Sequence, residues 1–521
     1  MEGVILGGVA NESKQQGGEV RGTRRGLVRL LVLLSVVVYA LGFLHLRADF
    51  PNGSPWMDWS KMADEGWYAG AAIHYFVQGR WYLSDLVNPV VAMPVWPAML
   101  GFWFAMTGVS MLAARALTMV LYGVSLVLLY RVVWKVRPGR LAAVVVLLTV
   151  IDPFCYAFNR LAILEPVTVL WFVLALWLAG EMEPEEWPKQ VLLGMVLFLL
   201  MLTKASGAVL VPAVLYLMAA RWDWRSAWQR GVAAFAVVVG TAAALWLAYM
   251  QLLVKSRYVT DYMLLASLHA QRVHLAMLPK IVWALLQDGG WISPVFFPLM
   301  GVVLVLSVVW LRELWRVPLF GAAVIAIAGQ MAYVGYYGDL QPRYFAVIAM
   351  PVMIVVGLGV AAVLDRSSAN GAELGLPTRD RKRWRWTGVG MVLVAVVAMM
   401  GMAVQTIGYV LHPDYSYWEA AQGIAAIIDA DGGSKPMLLS DSGDDLTLWT
   451  GLSAVSASHT THGLDAVLER YQPGWYAAWP GGHDEEIEQV GLRYRLDAVA
   501  RYRVFDDPTR QTLVLYKLTP R

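Results

Sequence analysis

Long apolar stretches separated by short polar ones fill residues 27–410, and a different pattern follows. Windows of about 20 apolar residues, enough for a helix to cross a bilayer, fall at 110–131, 231–252, 293–312, 317–336, 344–364 and 387–410. Two longer windows are interrupted, 141–180 by Asp152-Pro153, Arg160 and Glu165, and 191–221 by Lys204-Ala205-Ser206-Gly207. Charge and proline are costly in mid-bilayer and tolerated at an interfacial turn, so each window predicts a hairpin of two short helices. Residues 27–46 follow a basic stretch and show no small-x-small cleavage site before Arg47, which predicts a retained first span rather than a signal peptide. The total comes to about eleven spans. The stretch 90–107 is apolar too, but the prolines 89, 94 and 97 and the tryptophans 96 and 103 predict an interfacial or re-entrant helix there.

Beyond residue 410 the period shortens. A helix is expected at 417–428, a strand at 437–439, and a β-hairpin from 497–505 and 512–518 around Asp506-Asp507-Pro508. The expected fold class is thus an all-α polytopic membrane domain followed by a small α/β domain. The boundaries are a tail at 1–26, a membrane domain at 27–410 with long outer loops at 47–109 and 253–292, and the α/β domain at 411–521.

Charge adds an orientation. The segments 1–29, 131–140, 181–190, 221–230, 312–316 and 365–386 alternate correctly to share one side and together hold about half of the 41 Lys and Arg. This places the N-terminus in the cytoplasm and the C-terminal domain in the periplasm or outside the cell. Composition agrees with a membrane chain: 58% of 521 residues are hydrophobic and 15% charged, with a mean hydropathy of +0.54. The net charge of +3 is spread over many loops and argues against nucleic-acid binding. A lone Cys155 excludes disulfides and cysteine metal clusters.

The first outer loop contains Met62-Ala63-Asp64-Glu65-Gly66-Trp67-Tyr68. Two adjacent carboxylates at a membrane surface suit acid–base chemistry, one taking a proton from an acceptor hydroxyl and the other orienting groups or raising its neighbour's pKa. Acids at a helix start also serve simply as dipole partners, and the same holds for Glu165 before Pro166. Lys204 and Arg343 lie at span ends, where basic side chains commonly reach for headgroups. His74, His269 and His274 suit loop or packing roles better than metal binding. Asp441, Asp444 and Asp445 around Gly443 read as a turn or helix cap.

In chain order, several motifs together resemble the GT-C superfamily of membrane glycosyltransferases, in particular protein O-mannosyltransferases and the lipid A aminoarabinose transferase. They are Asp64-Glu65 with Tyr68 after span one, and the segment from Asn88-Pro89 through Pro94 and Pro97 to Thr107-Gly108. Arg115 then opens a span. Arg160 to Glu165-Pro166, Leu202-Thr203-Lys204-Ala205-Ser206-Gly207, and Arg343-Tyr344 with Pro351 beyond complete the series. The resemblance implies a GT-C-like fold and an inverting sugar transfer from a polyprenyl-phosphate or polyprenyl-diphosphate donor on the outer face. It implies Asp64 as general base, with Glu65 and Glu165 in support. It assigns Arg160, Lys204, Arg343 with Tyr344, and Arg257 as a further candidate, to the lipid phosphate, where fixed cations stabilise the departing charge. No cofactor is expected: some superfamily members need a divalent metal, but the first loop has no Asp-x-Asp. The partners expected are the polyprenyl-phosphate sugar, membrane lipid and an acceptor that is a glycan, lipid or protein. A transporter or flippase of a lipid-linked sugar is the alternative, and a membrane-anchored assembly protein a more distant one.

Overall fold

Where the apolar runs are broken, the chain turns. The computed structural model describes residues 26–222, 224–267, 275–337, 341–367, 378–432, 437–507 and 510–521; most of the basic tail, His269 and His274 lie outside these. The helical part comprises α1 Gly26–Leu41, α2 Asp64–Gln78, α3 Val95–Thr107, α4 Met111–Val136, α5 Arg140–Ile151, α6 Pro153–Asn159, α7 Leu164–Glu181, α8 Trp187–Thr203 and α9 Val211–Arg221. It continues with α10 Trp224–Tyr249, α11 Val259–Ser267, α12 Leu278–Asp288, α13 Phe296–Val309, α14 Pro318–Tyr337, α15 Ala346–Ser367 and α16 Thr378–Leu411.

Both interrupted windows are indeed broken. Asp152 ends α5 and caps α6, accepting from the Phe154 and Cys155 amides, with Pro153 in the first helical position. The two helices meet at 67°. At the other break, α8 stops at Lys204, whose backbone is extended. Among the described residues, six helices are long and apolar enough to cross a membrane, or seven with the α5–α6 pair as one span; five shorter apolar helices accompany them. The expected eleven therefore requires shorter helices to be counted as spans. Helix α3, 13 residues long, extends only about 20 Å, short of a bilayer core. Its Trp96 packs inside the protein: it is fully buried and donates to the Ala162 carbonyl at 3.1 Å. The described residues of 253–292, expected as a loop, are largely helical, the path of α10 running on through Met250–Tyr258 into α11.

Packing sorts the spans. The apolar window of α15 is 83% buried and that of α7 72% buried, against 17% for the window within Lys382–Asp431. Hydropathy does not follow burial: the windows of α7 and α15 average 1.5 and 2.7, and the two most exposed windows 2.1 and 2.2, because lipid is as apolar as a neighbouring helix. At one end of the bundle, Arg137 pairs with Asp365 at 2.6 Å, Lys135 with Glu181 at 3.0 Å, and Arg366 with Glu313 at 2.9 Å. The first turns of α2 and α7 and the last of α8 lie at the opposite end.

The C-terminal unit starts with α17 Ser416–Asp431 and continues β1 Leu438–Ser440, α18 Gly443–Thr450, β2 Ala454–Ser456, α19 Leu464–Tyr471, β3 Trp475–Ala478, α20 Asp484–Arg493, β4 Tyr494–Arg503 and β5 Thr512–Pro520. The sheet order is β2-β1-β3-β5-β4. The first three strands are parallel and β5 runs antiparallel to both β3 and β4. The expected α/β class holds, hairpin included.

Candidate active site

Helix α2 begins directly after a short turn, Trp59–Lys61, that Asp58 caps by accepting from the Ser60 amide at 2.8 Å. It ends where Gly79 takes a left-handed conformation, φ 74°. The turn and the helix start put three acids, Asp58, Asp64 and Glu65, at one end of the bundle, all of them buried. They do not stay together. Successive helical residues point about 100° apart, so Asp64 and Glu65 enter different neighbourhoods.

Asp64 faces Arg343, with its Oδ2 2.9 Å from Nη2. Arg343 also donates from Nη1 to Asp58 Oδ1 at 2.5 Å and from its backbone amide to Asp58 Oδ2 at 2.9 Å. Its Nε lies 3.9 Å from Glu165 Oε1. Lys204 donates to that same Glu165 oxygen. The ring of Tyr344 lies under both cations, 4.3 Å from Lys204 Nζ and 4.9 Å from the Arg343 guanidinium carbon. Segments separated by up to 285 positions thus build one cluster of three acids and two bases. Burial pushes the Asp64 pKa up to about 6; Arg343 opposes this, while the charges of Asp58 and Glu165 add to it. Tyr68, one helical turn on, is also turned toward Arg343, and burial holds its phenol well above the usual value. Glu165 is fully buried, and its Oε2 has no hydrogen-bond partner among the described residues.

Glu65 makes a different contact. It forms a two-pronged pair with Arg115, Nε to Oε1 at 2.8 Å and Nη2 to Oε2 at 2.5 Å, and accepts from the Ala162 amide at 2.7 Å. The remaining Arg115 nitrogen donates to the Leu46 and Ala48 carbonyls. Arg160 belongs to this second group: it donates to the Asp49 carbonyl at 2.5 Å and more weakly to those of His45 and Ala48. Asp49 joins through Ser416 and the Tyr417 amide, and burial raises its pKa to about 6.

Of the residues singled out in the sequence, the structure therefore brings together Asp64, Glu165, Lys204, Arg343 and Tyr344, and places Glu65 and Arg160 with Arg115. Asp58 passed unnoticed, since an acid in a polar loop carries no local signal of a partner 285 positions away. Arg257 is exposed on the helical 253–292 segment. Asp444 and Asp445 are not caps; they lie in the first turn of α18 and reach α2.

The three carboxylates around Arg343 do not converge as metal ligands would. Among the described residues, only Asp441, His483 and Glu486 bring three such ligand atoms within 4.8 Å of one another. There His483 sits between the acids, Nδ1 2.9 Å from Glu486 and Nε2 3.3 Å from Asp441. The hydrogen bond to Glu486, with the Asp441 charge, raises its pKa despite burial.

The chain has the fold of solved polytopic membrane glycosyltransferases of the GT-C type, the superfamily that its ordered motifs resemble. ArnT from Cupriavidus metallidurans bound to undecaprenyl phosphate matches with a TM-score of 0.58 at 16% identity, over 94% of this chain and 98% of that one. The same protein in the apo state gives 0.55 at 15% identity, over 95% and 98%. The oligosaccharyltransferase of Archaeoglobus fulgidus in complex with Zn and sulfate gives 0.50 at 12%, over 95% and 75%. Residues 89–249 match the family model for dolichyl-phosphate-mannose-protein mannosyltransferase. No curated protein matches by sequence.

Proposed function

We propose that this membrane protein transfers a sugar from a polyprenyl-phosphate-linked donor to an acceptor hydroxyl or amine at the extracytoplasmic face. The observation that carries the reading is the cluster itself: one carboxylate, Asp64, with its pKa lifted toward neutrality, beside two buried cations held over one aromatic ring. Asp64 takes the proton as the acceptor attacks the anomeric carbon. The bond from that carbon to the lipid phosphate oxygen breaks, its electron pair stays on the phosphate, and Lys204 and Arg343 stabilise the charge that develops. A single displacement of this kind inverts the anomeric configuration. Asp58 holds Arg343 in place through two hydrogen bonds, and the unpartnered Glu165 oxygen offers an acceptor for a sugar hydroxyl.

The fold shared with ArnT, a protein crystallised with undecaprenyl phosphate, supports a polyprenyl-phosphate carrier. Sidedness rests on loop charge: the basic loops cap the end of the bundle opposite Asp64, and basic loops stay in the cytoplasm. The test is to reconstitute the protein in nanodiscs, supply polyprenyl-phosphate sugars and measure release of free polyprenyl phosphate. Wild type should turn over, and Asp64→Asn should lose about 100-fold or more. Equal rates for the two would overturn the assignment of the base.

A further inference from the structure

We infer that the α18 segment of the C-terminal domain is a positioning element of this site, with Asp445 and Asp444 holding the helix that carries Asp64. This rests on the transferase reading and extends it to a domain whose role the fold comparison leaves open.

The contact is backbone-close. Asp445 accepts from the Gly66 amide at 3.0 Å, two residues after Asp64. A Cβ on Gly66 would lie 2.2 Å from the Asp445 nitrogen, so only glycine permits this approach. One turn on, a Cβ on Gly70 would lie 2.8 Å from Asp444 Oδ2. One turn further still, His74 Nε2 and Asp444 Oδ1 are 2.7 Å apart. Gly66, Gly70 and His74 recur every four residues and so form one stripe of α2. The C-terminal domain lies along that stripe, while Asp64 and Tyr68 on another face meet Arg343.

The same short helix reaches the Glu65 side as well. Trp449 packs its ring 5.1 Å from the guanidinium carbon of Arg115, the residue that grips Glu65. Asp64 is therefore followed by Glu65, whose partner Arg115 touches α18, and by Gly66, whose partner Asp445 belongs to α18. The first-turn amides of a helix have no partner within the helix; a carboxylate from another domain takes one of them here. Asp445 is itself 2% exposed and close to Glu65, Asp64 and Asp444. Burial first, then those charges, pushes its pKa well up, with the Gly66 hydrogen bond opposing. A buried acid in that setting is a poor choice for mere packing.

The test uses the full-length protein in nanodiscs with Asp445→Ala, Asp445→Asn and Asp64→Asn. It reads kcat and KM for the donor, and hydrogen exchange of the peptide covering residues 62–70. Asp445→Ala should lower kcat about 100-fold, the effect of a small misplacement of a reacting group, with KM little changed. Asp445→Asn keeps an acceptor oxygen and should restore most of the rate. The alanine variant should also exchange about tenfold faster at the start of α2, as one hydrogen bond is lost. Wild-type kcat and wild-type exchange in Asp445→Ala would overturn the inference, and so would equal loss in the alanine and asparagine variants. A wild type that transfers no sugar would sink the transferase reading, while accelerated exchange in Asp445→Ala would still establish the positioning contact.

Discussion

Two groups of buried charge sit at the same end of the helical domain, and consecutive residues of one helix supply them. In one, the Glu65–Arg115 pair is saturated: both carboxylate oxygens and all three guanidinium nitrogens have partners, all at 2.9 Å or less, although Asp49 Oδ1 and Arg160 Nε beside it have none among the described residues. The cluster around Asp64 is not. It holds three acids against two bases, and among the described residues Asp64 Oδ2, in an ion pair with Arg343, Glu165 Oε2 and Arg343 Nε make no hydrogen bond of good geometry. A saturated buried pair has nothing left for a ligand and works as a latch between segments. An unsaturated one retains polar capacity in a low-dielectric site, which is what a charged transition state can use. The difference teaches that adjacent acids in one motif need not share a role.

Substitutions at the two positions should therefore part company. Asp64→Asn should remove about 100-fold or more of the transfer rate while leaving the thermal unfolding midpoint in detergent near that of wild type. Glu65→Gln should do the opposite: it leaves Arg115 buried and unpaired, at a cost of about 3–5 kcal/mol, visible as a lower unfolding midpoint and poorer recovery. If Glu65→Gln abolished turnover without loss of stability, the two clusters would not be distinct.

A smaller effect sharpens the unsaturated side. With Asp64 needed as a carboxylate and its pKa lifted to about 6, kcat/KM should rise with pH through that value and level off above it. Glu165→Gln removes a negative neighbour and frees Lys204, and both changes favour the ionised form, so the acid limb should move to lower pH. An unmoved limb would place the titration elsewhere. Smallest of all, Tyr344→Leu should lower turnover by about 10-fold or less, as cation–aromatic contacts contribute about 1 kcal/mol each, read in the same release assay.

Much of this could be read along the chain. The windows at 110–131, 317–336 and 344–364 became α4, α14 and α15, and the Asp152-Pro153 and Lys204 interruptions became breaks, because apolar runs and their breakers act locally. Asp64, Glu165, Lys204 and Arg343 were named from the resemblance of their motifs to the GT-C superfamily, and loop charge put all four on one predicted side. Trp96, taken as a sign of an interfacial helix, is buried against protein, a contact the sequence could not show, since apolar faces toward lipid and toward protein look alike in sequence. Residues 253–292 looked like a loop because mixed polarity does not distinguish an exposed helix from irregular chain. Asp444 and Asp445 looked like a cap because their partners, Gly66 and His74, are about 370 residues away.

Hydrophobic period and loop charge were sufficient for the longest apolar helices, the α/β class of the last hundred residues and the gathering of polar motifs at one end of the bundle. These depend on one-dimensional pattern and on the cost of placing charge in lipid. Which acid meets the cations was decided only in three dimensions. Helix geometry turns Asp64 and Glu65 to different faces, and their partners, Arg343 and Arg115, come from distant segments of the chain, so no local rule could assign them.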